Sequence, residues 1–280
     1  MVLARWCAFA AYWVVFFSLP PTLLWGLPGL IGGAAAACLL LLALRLRGIH
    51  PILQTLKAQP LGAAQAPIFH ALVQEHCRRL GLRPPRLYRL PSGALNIAAL
   101  GFSRRSAALL VTQGLLDKMP RAELSAMVAR ALCRVWSTEL AGETWLARML
   151  QLFQRVSSMP EGLGPQQRDR LLLRYLFRQI LLYPISLPAA WLLHSKRQAG
   201  ALDQAASRVC TSPRALAEAY RRIEATAEHT ALYAPFSTRH LFLVSPLTVD
   251  PLARVLFSRS GLNQRIQAIE AFKPMAVAPT

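Results

Sequence analysis

The chain has 280 residues, is 54% hydrophobic and carries a formal net charge of +19, which suits one sizeable domain joined to membrane segments. Its five cysteines are scattered without a C-x-x-C pair, which predicts reduced thiols and argues against a disulfide framework. The excess of arginine would attract anionic lipid or nucleic acid. The sequence shows no zinc knuckle, aromatic-rich RNA-binding strand or concentrated basic arm, so anionic membrane lipids are the predicted partners and nucleic acid is disfavoured.

Residues 6–44 contain no charged side chain, and about 20 apolar residues are enough for one membrane crossing. Pro20, Pro21 and Pro28 would interrupt a single long helix, so we predict a hairpin of two short transmembrane helices. The four-residue spacing of Gly29 and Gly33 would let the two helices approach closely. A cleaved signal peptide is the alternative, which the length of the apolar run disfavours.

Basic residues lie beyond both ends of this hairpin. Arg5 precedes the first crossing, Arg45 and Arg47 follow the second, and the connecting turn is uncharged. Because cytoplasmic flanks carry the excess of lysine and arginine, both ends are predicted to face the cytoplasm. The main domain is therefore expected on the cytoplasmic side of the membrane.

The pattern of the remaining chain predicts several helices and one small sheet. An amphipathic helix is predicted over residues 66–82. Apolar runs separated by turn residues at Ser92–Gly93 and Ser103–Arg104 predict a small antiparallel sheet, and the next helix starts at Pro120. Residues 145–193 are apolar but interrupted by arginines, so interfacial or buried helices are predicted there, with membrane embedding left open. Further amphipathic helices follow towards the C terminus.

The helix predicted over residues 122–139 has one buried apolar stripe at the i, i+3, i+4, i+7 spacing. Arg130 and Arg134 lie beside that stripe, four residues apart and on one face. This helix therefore presents two positive charges from a single face.

Five segments, in the same order, resemble the HtpX-type membrane zinc endopeptidases, of the wider group that includes the CAAX prenyl proteases. They are LGLRPPRLYRL, ALNIAALGFSRRSAALLVTQGLLDKM, RAELSAMVARALCRVWS, HSKRQAGALDQAAS, and the pair LFLVSPL and RVLFSRSGLNQRIQAI. The resemblance implies a mostly α fold with a small antiparallel β-sheet, an α+β fold of the zincin-like metallopeptidase kind. It also implies an N-terminal transmembrane hairpin over residues 1–46, a degenerate metallopeptidase-like domain over residues 47–280, and a bacterial inner membrane as the location.

The family binds zinc through the two histidines of H-E-x-x-H, whose glutamate is the general base, and through a glutamate on a later helix. At the matching positions this chain has Arg130, Ala131 and Arg134, with Ala199 at the position of the later glutamate. A guanidinium stays protonated and does not bind zinc, and alanine cannot abstract a proton. The resemblance therefore implies no catalytic residue and no metal ligand, and zinc is not expected as a cofactor.

Asp203, which the family also carries on that later helix, is retained. We predict that Arg130, Arg134 and Asp203 form an ion-pair site in which guanidinium charge takes the place of the metal. The alternative is that both arginines simply face water.

The family's substrate lies along an exposed strand edge, where peptides pair through their backbone, and Asn96, Ala98 and Gly101 keep the outline of that edge. The predicted function is a membrane-anchored, catalytically inactive homologue that binds peptides or membrane-protein segments, or regulates a partner, in protein quality control. Two alternatives stay open: an active membrane-associated peptidase or hydrolase with an unrecognised site, and a basic protein that binds lipid surfaces.

Overall fold

The computed structural model describes residues 2–158, 196–210, 212–227, 230, 232, 234–244 and 262–271. The larger part of the predicted apolar region, residues 159–193, lies outside these ranges. The helices are α1 (Val2–Leu46), α2 (His50–Thr55), α3 (Pro67–Leu80), α4 (Gln113–Lys118), α5 (Arg121–Trp136), α6 (Glu139–Ser158), α7 (Lys196–Val209), α8 (Pro213–Ala227) and α9 (Leu262–Glu270). The strands are β1 (Gln59–Pro60), β2 (Arg86–Leu90), β3 (Ile97–Leu100) and β4 (Ala108–Thr112), and two 3-10 helices span Arg104–Ser106 and Phe236–Leu241.

α1 turns back on itself at Gly26, where the backbone has φ 63° and ψ −136°. A Cβ placed on Gly29 would lie 1.9 Å from the carbonyl oxygen of Pro21, and one on Gly33 would lie 2.7 Å from the Cα of Ser18. Residues so far apart in sequence meet only if the two halves of α1 run side by side, so the predicted hairpin and its close glycine contact are present. The reversal occurs at glycine and not at the prolines, because a positive φ is readily open to glycine alone.

Within the described residues, one helical stretch, Ala11–Leu46, is long and apolar enough to cross a membrane. Only 22% of its most apolar window is buried inside the protein, so most of that surface is available to lipid. The hairpin packs on α6 through Trp13 and Leu44, which form a buried cluster with Leu146, Met149 and Leu150. The membrane anchor is thus joined directly to the rest of the fold.

The sheet has the strand order β1-β2-β4-β3 and is mixed. β1 and β3 pair antiparallel with their neighbours, as expected, whereas β2 and β4 are parallel, with Arg86 opposite Ala108 and Leu90 opposite Thr112. The prediction of a purely antiparallel sheet is wrong for β2 and β4. After β2 the chain forms β3 at the edge of the sheet, and β4 then lies between β2 and β3, where it runs parallel to β2. All five residues of β4 are buried, as is usual for a strand in parallel pairing.

Both faces of the sheet are covered, because successive residues of a strand point to opposite sides. Ile97, Leu109 and Val111 belong to the larger core, which includes residues of α3, α5, α8 and α9. Leu100 and Leu110 belong to a second core with α2 and the segment around Phe242. This arrangement fixes α5 across one face of the sheet, beside the edge strand β3.

α5 is the central helix of the domain, and twelve of its sixteen residues are buried. It begins after Pro120, whose carbonyl accepts from the amide of Leu124 at 2.8 Å. Glu123 in the first turn accepts two hydrogen bonds from Arg222 of α8, at 2.7 and 2.9 Å, and its charge also suits the positive end of the helix dipole. These contacts hold α5 in register with α8 and so position the arginines further along it.

Candidate functional site

The two helices that carry the predicted site meet at Arg130 of α5 and Asp203 of α7. Nε of Arg130 donates to Oδ1 of Asp203, and the side chains are only 4% and 2% exposed. The predicted pairing of these two residues is therefore present, and Arg130 does not face water. A buried charge needs a partner of this kind, because leaving it alone would cost several kcal/mol.

A second arginine, Arg265 of α9, also donates hydrogen bonds to the carboxylate of Asp203. Its Nε donates to Oδ2 of Asp203 at 2.6 Å and its Nη2 donates to Oδ1 at 3.0 Å. Tyr220 of α8 donates its hydroxyl proton to Oδ1 at 2.9 Å and accepts from Nη2 of Arg265 at 2.7 Å. Four helices, α5, α7, α8 and α9, therefore converge on the carboxylate of Asp203.

The charges in this cluster are fixed at neutral pH. Burial would raise the pKa of Asp203, but Arg130 and Arg265 beside it hold that pKa below its ordinary value. Burial would likewise lower the pKa of Arg130, but the charge of Asp203, the hydrogen bond to it and the nearby Tyr220 together more than offset burial and raise that pKa. Burial raises the pKa of Tyr220, so the phenol stays neutral. The cluster thus holds two positive charges against one negative charge.

Arg134 does not reach Asp203, so the predicted three-residue site is wrong in this respect. Its Nε donates to Oε2 of Glu143 on α6 at 2.6 Å, and its Nη1 and Nη2 donate to the carbonyl oxygens of Leu241 and His240 at 2.8 and 2.7 Å. One helical turn separates Arg134 from Arg130, and a turn rises about 5.4 Å. That displacement is enough to carry the second guanidinium to a different set of acceptors.

His240 completes the surroundings of Arg134. Its Nε2 lies 2.9 Å from the carbonyl oxygen of Glu143, which fits a neutral ring that donates from this nitrogen. Burial, aided by the charge of Arg134, lowers the pKa of His240 to about 4, although the hydrogen bond to Glu143 opposes this. The ring is therefore uncharged at neutral pH beside a charged guanidinium.

The residues at the family's ligand positions do not fit zinc. Arg130 and Arg134 use their nitrogens as hydrogen-bond donors, whereas a zinc ligand must offer a lone pair, which a guanidinium lacks. Ala131 between them is buried and has no polar atom, while Ala199 lies one helical turn before Asp203 on α7. In the part of the chain described here, no three His, Cys, Asp or Glu side chains lie close enough to share a metal ion.

The predicted peptide-binding edge, at Asn96, Ala98 and Gly101, is buried and already has a partner. Ala98 forms an antiparallel bridge with Phe242, and the amide of Leu243 donates to the carbonyl of Ile97 at 2.9 Å. The side chain of Asn96 binds Val244 twice, donating to its carbonyl at 2.6 Å and accepting from its amide at 3.4 Å. The expectation that this edge is open is therefore wrong in this structure, because residues 242–244 of the same chain lie along it.

Gly101 lies at the end of that edge and is also engaged. Its backbone amide donates to Oγ1 of Thr144 at 2.8 Å, and a Cβ there would lie 2.8 Å from the Cα of Ala107. With φ at 156° and no room for a side chain, this position requires glycine.

No family model matches the chain, but individual relatives do. A "Protease HtpX homolog" from Acaryochloris marina is 31% identical over 268 residues, which cover 87% of this chain and 89% of that protein. The chain belongs to the HtpX protease family. Relatives of the same name from Salinibacter ruber and Trichormus variabilis are 25% and 26% identical, over 95% and 92% of this chain and 96% and 89% of their own lengths. HtpX homologues are bacterial membrane proteins, which agrees with the apolar hairpin of α1.

Among solved structures, the chain is similar to the crystal structure of S. mikatae Ste24p. The TM-score is 0.48 at 14% sequence identity, with 91% of this chain and 61% of that chain covered. The sequence relatives, rather than this structure, carry the assignment of this chain to the HtpX family.

The sequence did not identify four residues that contact the predicted ion-pair site: Arg265, Tyr220, Glu143 and His240. Arg265 lies within RVLFSRSGLNQRIQAI, the last of the segments that resemble the family, and that resemblance is a signal that could have identified it. The other three carry no local pattern, because they meet the arginines only through tertiary packing.

Proposed function

We propose that this HtpX-family chain is a membrane-anchored, catalytically inactive member that acts by binding peptides, membrane-protein segments or a regulated partner. The observation that carries the proposal is the buried pair of Arg130 and Asp203, which joins the two helices on which the family resemblance implies metal ligands. A site filled by a hydrogen-bonded guanidinium and backed by Ala131 offers neither a Lewis acid nor a general base.

The alternative of an active hydrolase would need another nucleophile. Burial raises the pKa of Cys133 to about 11, so at neutral pH this residue is a thiol rather than the thiolate that attacks carbonyls. Nε2 of His76 lies 2.8 Å from Oγ of Ser125. The other ring nitrogen of His76, Nδ1, is buried without a hydrogen-bond partner among the described residues. A working dyad is oriented by a third group at that nitrogen, so the contact better fits a structural hydrogen bond.

The zinc content and peptidase activity of the purified full-length protein test the inactivity. We expect well under 0.1 zinc per chain and no cleavage of an unfolded protein substrate such as casein. The matched control is the variant that restores the family's set, Arg130→His, Ala131→Glu, Arg134→His and Ala199→Glu, measured in parallel. Stoichiometric zinc in the unaltered protein, or cleavage by it that is lost in Ser125→Ala or Cys133→Ala, would overturn the proposal.

The binding role is tested with the purified full-length protein and a photoreactive extended peptide. Because residues 242–244 already pair with β3, we place no binding site on that edge. We expect crosslinking that unlabelled unfolded casein competes away. Crosslinking no greater than to an unrelated membrane protein in the same detergent would contradict the binding role.

We also place the main domain on the cytoplasmic side of the bacterial inner membrane, in the role of a quality-control component. This rests on Arg45 and Arg47 directly after the hairpin and on the preference of basic flanks for the cytoplasm. A cysteine introduced at Gly62, in the exposed loop before α3, is expected to react with an impermeant thiol reagent in inverted membrane vesicles and to be protected in intact spheroplasts. The opposite pattern would reverse the orientation.

A further inference from the structure

A surface of arginine and aromatic side chains lies beside the end of the membrane hairpin. It is formed by Arg45 at the end of α1, by Phe102, Arg104 and Arg105 in the loop between β3 and β4, and by Trp136 at the end of α5. The guanidinium carbon of Arg104 lies 5.0 Å from the centre of the Trp136 ring, and that of Arg45 lies 6.0 Å from the centre of the Phe102 ring. We call this set the arginine–tryptophan surface.

This surface is continuous with the membrane anchor. Phe102 meets Trp145 of α6 edge-on, with 5.5 Å between the ring centres. Trp145 in turn packs against the cluster that Trp13 and Leu44 of the hairpin form with α6. Leu44 directly precedes Arg45 in the last turns of α1, where the apolar stretch ends. The loop and Trp136 are therefore held close to the level at which the hairpin leaves the hydrocarbon.

The charges on this surface are unbalanced. Arg45, Arg104 and Arg105 are all exposed, as is Arg47 two residues beyond Arg45, and across the described ranges none of these arginines has a carboxylate partner. The acidic residue nearest to Trp136 along the chain is Glu139, three positions on. Trp136 itself is 53% exposed, which is unusual for so large an apolar side chain in a buried helix.

We propose that the arginine–tryptophan surface binds the headgroups of anionic phospholipids. Arginine near a negatively charged leaflet gains roughly 1 kcal/mol per residue, and tryptophan prefers the headgroup level, where its ring is half buried and its N–H stays hydrated. The inference is independent of the proposed function, because it uses none of the residues around Asp203. It also sets the tilt of the domain, because the C-terminal end of α5 then points towards the bilayer.

The first test is a titration of the detergent-solubilised full chain with dioctanoyl phosphatidylglycerol, followed by tryptophan fluorescence. We expect binding about tenfold or more tighter than for dioctanoyl phosphatidylcholine, and weaker as salt is added. The variant Arg104→Gln/Arg105→Gln should lose roughly tenfold or more of that affinity. The control Arg78→Gln/Arg214→Gln removes the same charge from exposed sites on α3 and α8 and should stay within about twofold of the unaltered protein.

Equal affinity for the two lipids would overturn the proposal, and so would an equal loss in both double variants. An RNA oligonucleotide that displaces the lipid and depends on the same two arginines would assign the surface to nucleic acid instead. The second test uses nanodiscs whose lipids are brominated near the headgroup. We expect the brominated lipids to quench the tryptophan fluorescence of the unaltered protein more than that of Trp136→Phe, because Trp136 lies near the bromine atoms. Equal quenching of the two proteins would place the arginine–tryptophan surface away from the membrane.

Discussion

Asp203 and Arg265 form a two-point contact, with Nε of the arginine 2.6 Å from Oδ2 and Nη2 3.0 Å from Oδ1. The geometry is the parallel fork that guanidinium and carboxylate prefer, and it leaves Oδ1 to accept from Arg130 and Tyr220 as well. One carboxylate therefore pairs with two arginines that are far apart in the sequence, and Nη1 of Arg130 is buried without a hydrogen-bond partner among the described residues.

Removal of this carboxylate is expected to destabilise the protein strongly. Asp203→Ala leaves the buried Arg130 and the partly buried Arg265 without an acidic partner, and loss of one member of a buried pair typically costs about 3–5 kcal/mol. Glu75→Gln is the control, since it breaks an ion pair with Arg79 whose side chains are each 44% exposed, worth at most about 1 kcal/mol. The melting temperatures of both variants are measured by thermal unfolding in detergent. An unchanged melting temperature in Asp203→Ala would show that the Asp203 carboxylate does not stabilise the fold.

The stability of the fold should fall as the pH is lowered from about 6.5 to 4, because of His240. Its pKa is about 4 in the folded protein and about 6.5 in an unfolded chain. The folded pKa is the lower of the two, so the full stability is present above pH 6.5 and is lost as the unfolded state takes up its proton. A difference of this size corresponds to roughly 3 kcal/mol.

His240→Gln is the variant that tests this pH dependence, since glutamine can donate to the same carbonyl of Glu143 without titrating. We expect a flatter profile of unfolding free energy between pH 6.5 and 4 for this variant. The contribution of Asp203, whose folded pKa is lowered, is lost only below about pH 4, so the two effects separate along the pH axis. If the unfolding free energy falls equally with pH in His240→Gln and in the unaltered protein, His240 is not the cause of the pH dependence.

The hairpin offers a comparison between two glycines of the same helix. Gly29→Ala would bring a methyl group to 1.9 Å from the backbone oxygen of Pro21, whereas Gly32→Ala meets nothing within 4 Å. The first change should force the two halves of α1 apart and lower the melting temperature and the membrane yield, while the second should leave both within error. Equal behaviour of the two variants would show that the halves do not pack closely.

The buried Cys133 and the partly buried Cys210 are expected to resist alkylation. Burial raises the pKa of Cys133 to about 11 and that of Cys210 to about 12, so almost no thiolate is present at pH 7.5. Mass spectrometry after iodoacetamide treatment should show both unmodified in the native protein and modified once it is unfolded in urea. Rapid native labelling of Cys133 would reopen the possibility of a cysteine nucleophile.

Two residues of the site could be predicted from the sequence. The helical stripe of α5 indicated Arg130, and the resemblance to the family's later helix indicated Asp203, which the structure brings together with Arg130. The partners of Arg134 could not be predicted, because Glu143 and the carbonyls of residues 240 and 241 approach only when α6 and the following 3-10 helix are packed.

The strand pairing shows the same limit. The apolar run of β3 indicates a strand, but nothing in it states which segment lies along its free edge. Phe242–Val244 come about 140 residues later in the chain, and the contact through Asn96 depends on the whole intervening fold. For this reason the edge was expected to be open, and the parallel pairing of β2 with β4 was likewise missed.

The cluster around Asp203 also bears on how the chain is made. Arg130 is synthesised 73 residues before Asp203, and Arg265 follows Asp203 by a further 62. Until α7 has left the ribosome, α5 carries a guanidinium that cannot be buried without its counter-charge. We therefore expect that nascent chains ending before α7 keep α5 undocked from its neighbours, so that assembly of the domain waits for the C-terminal third of translation.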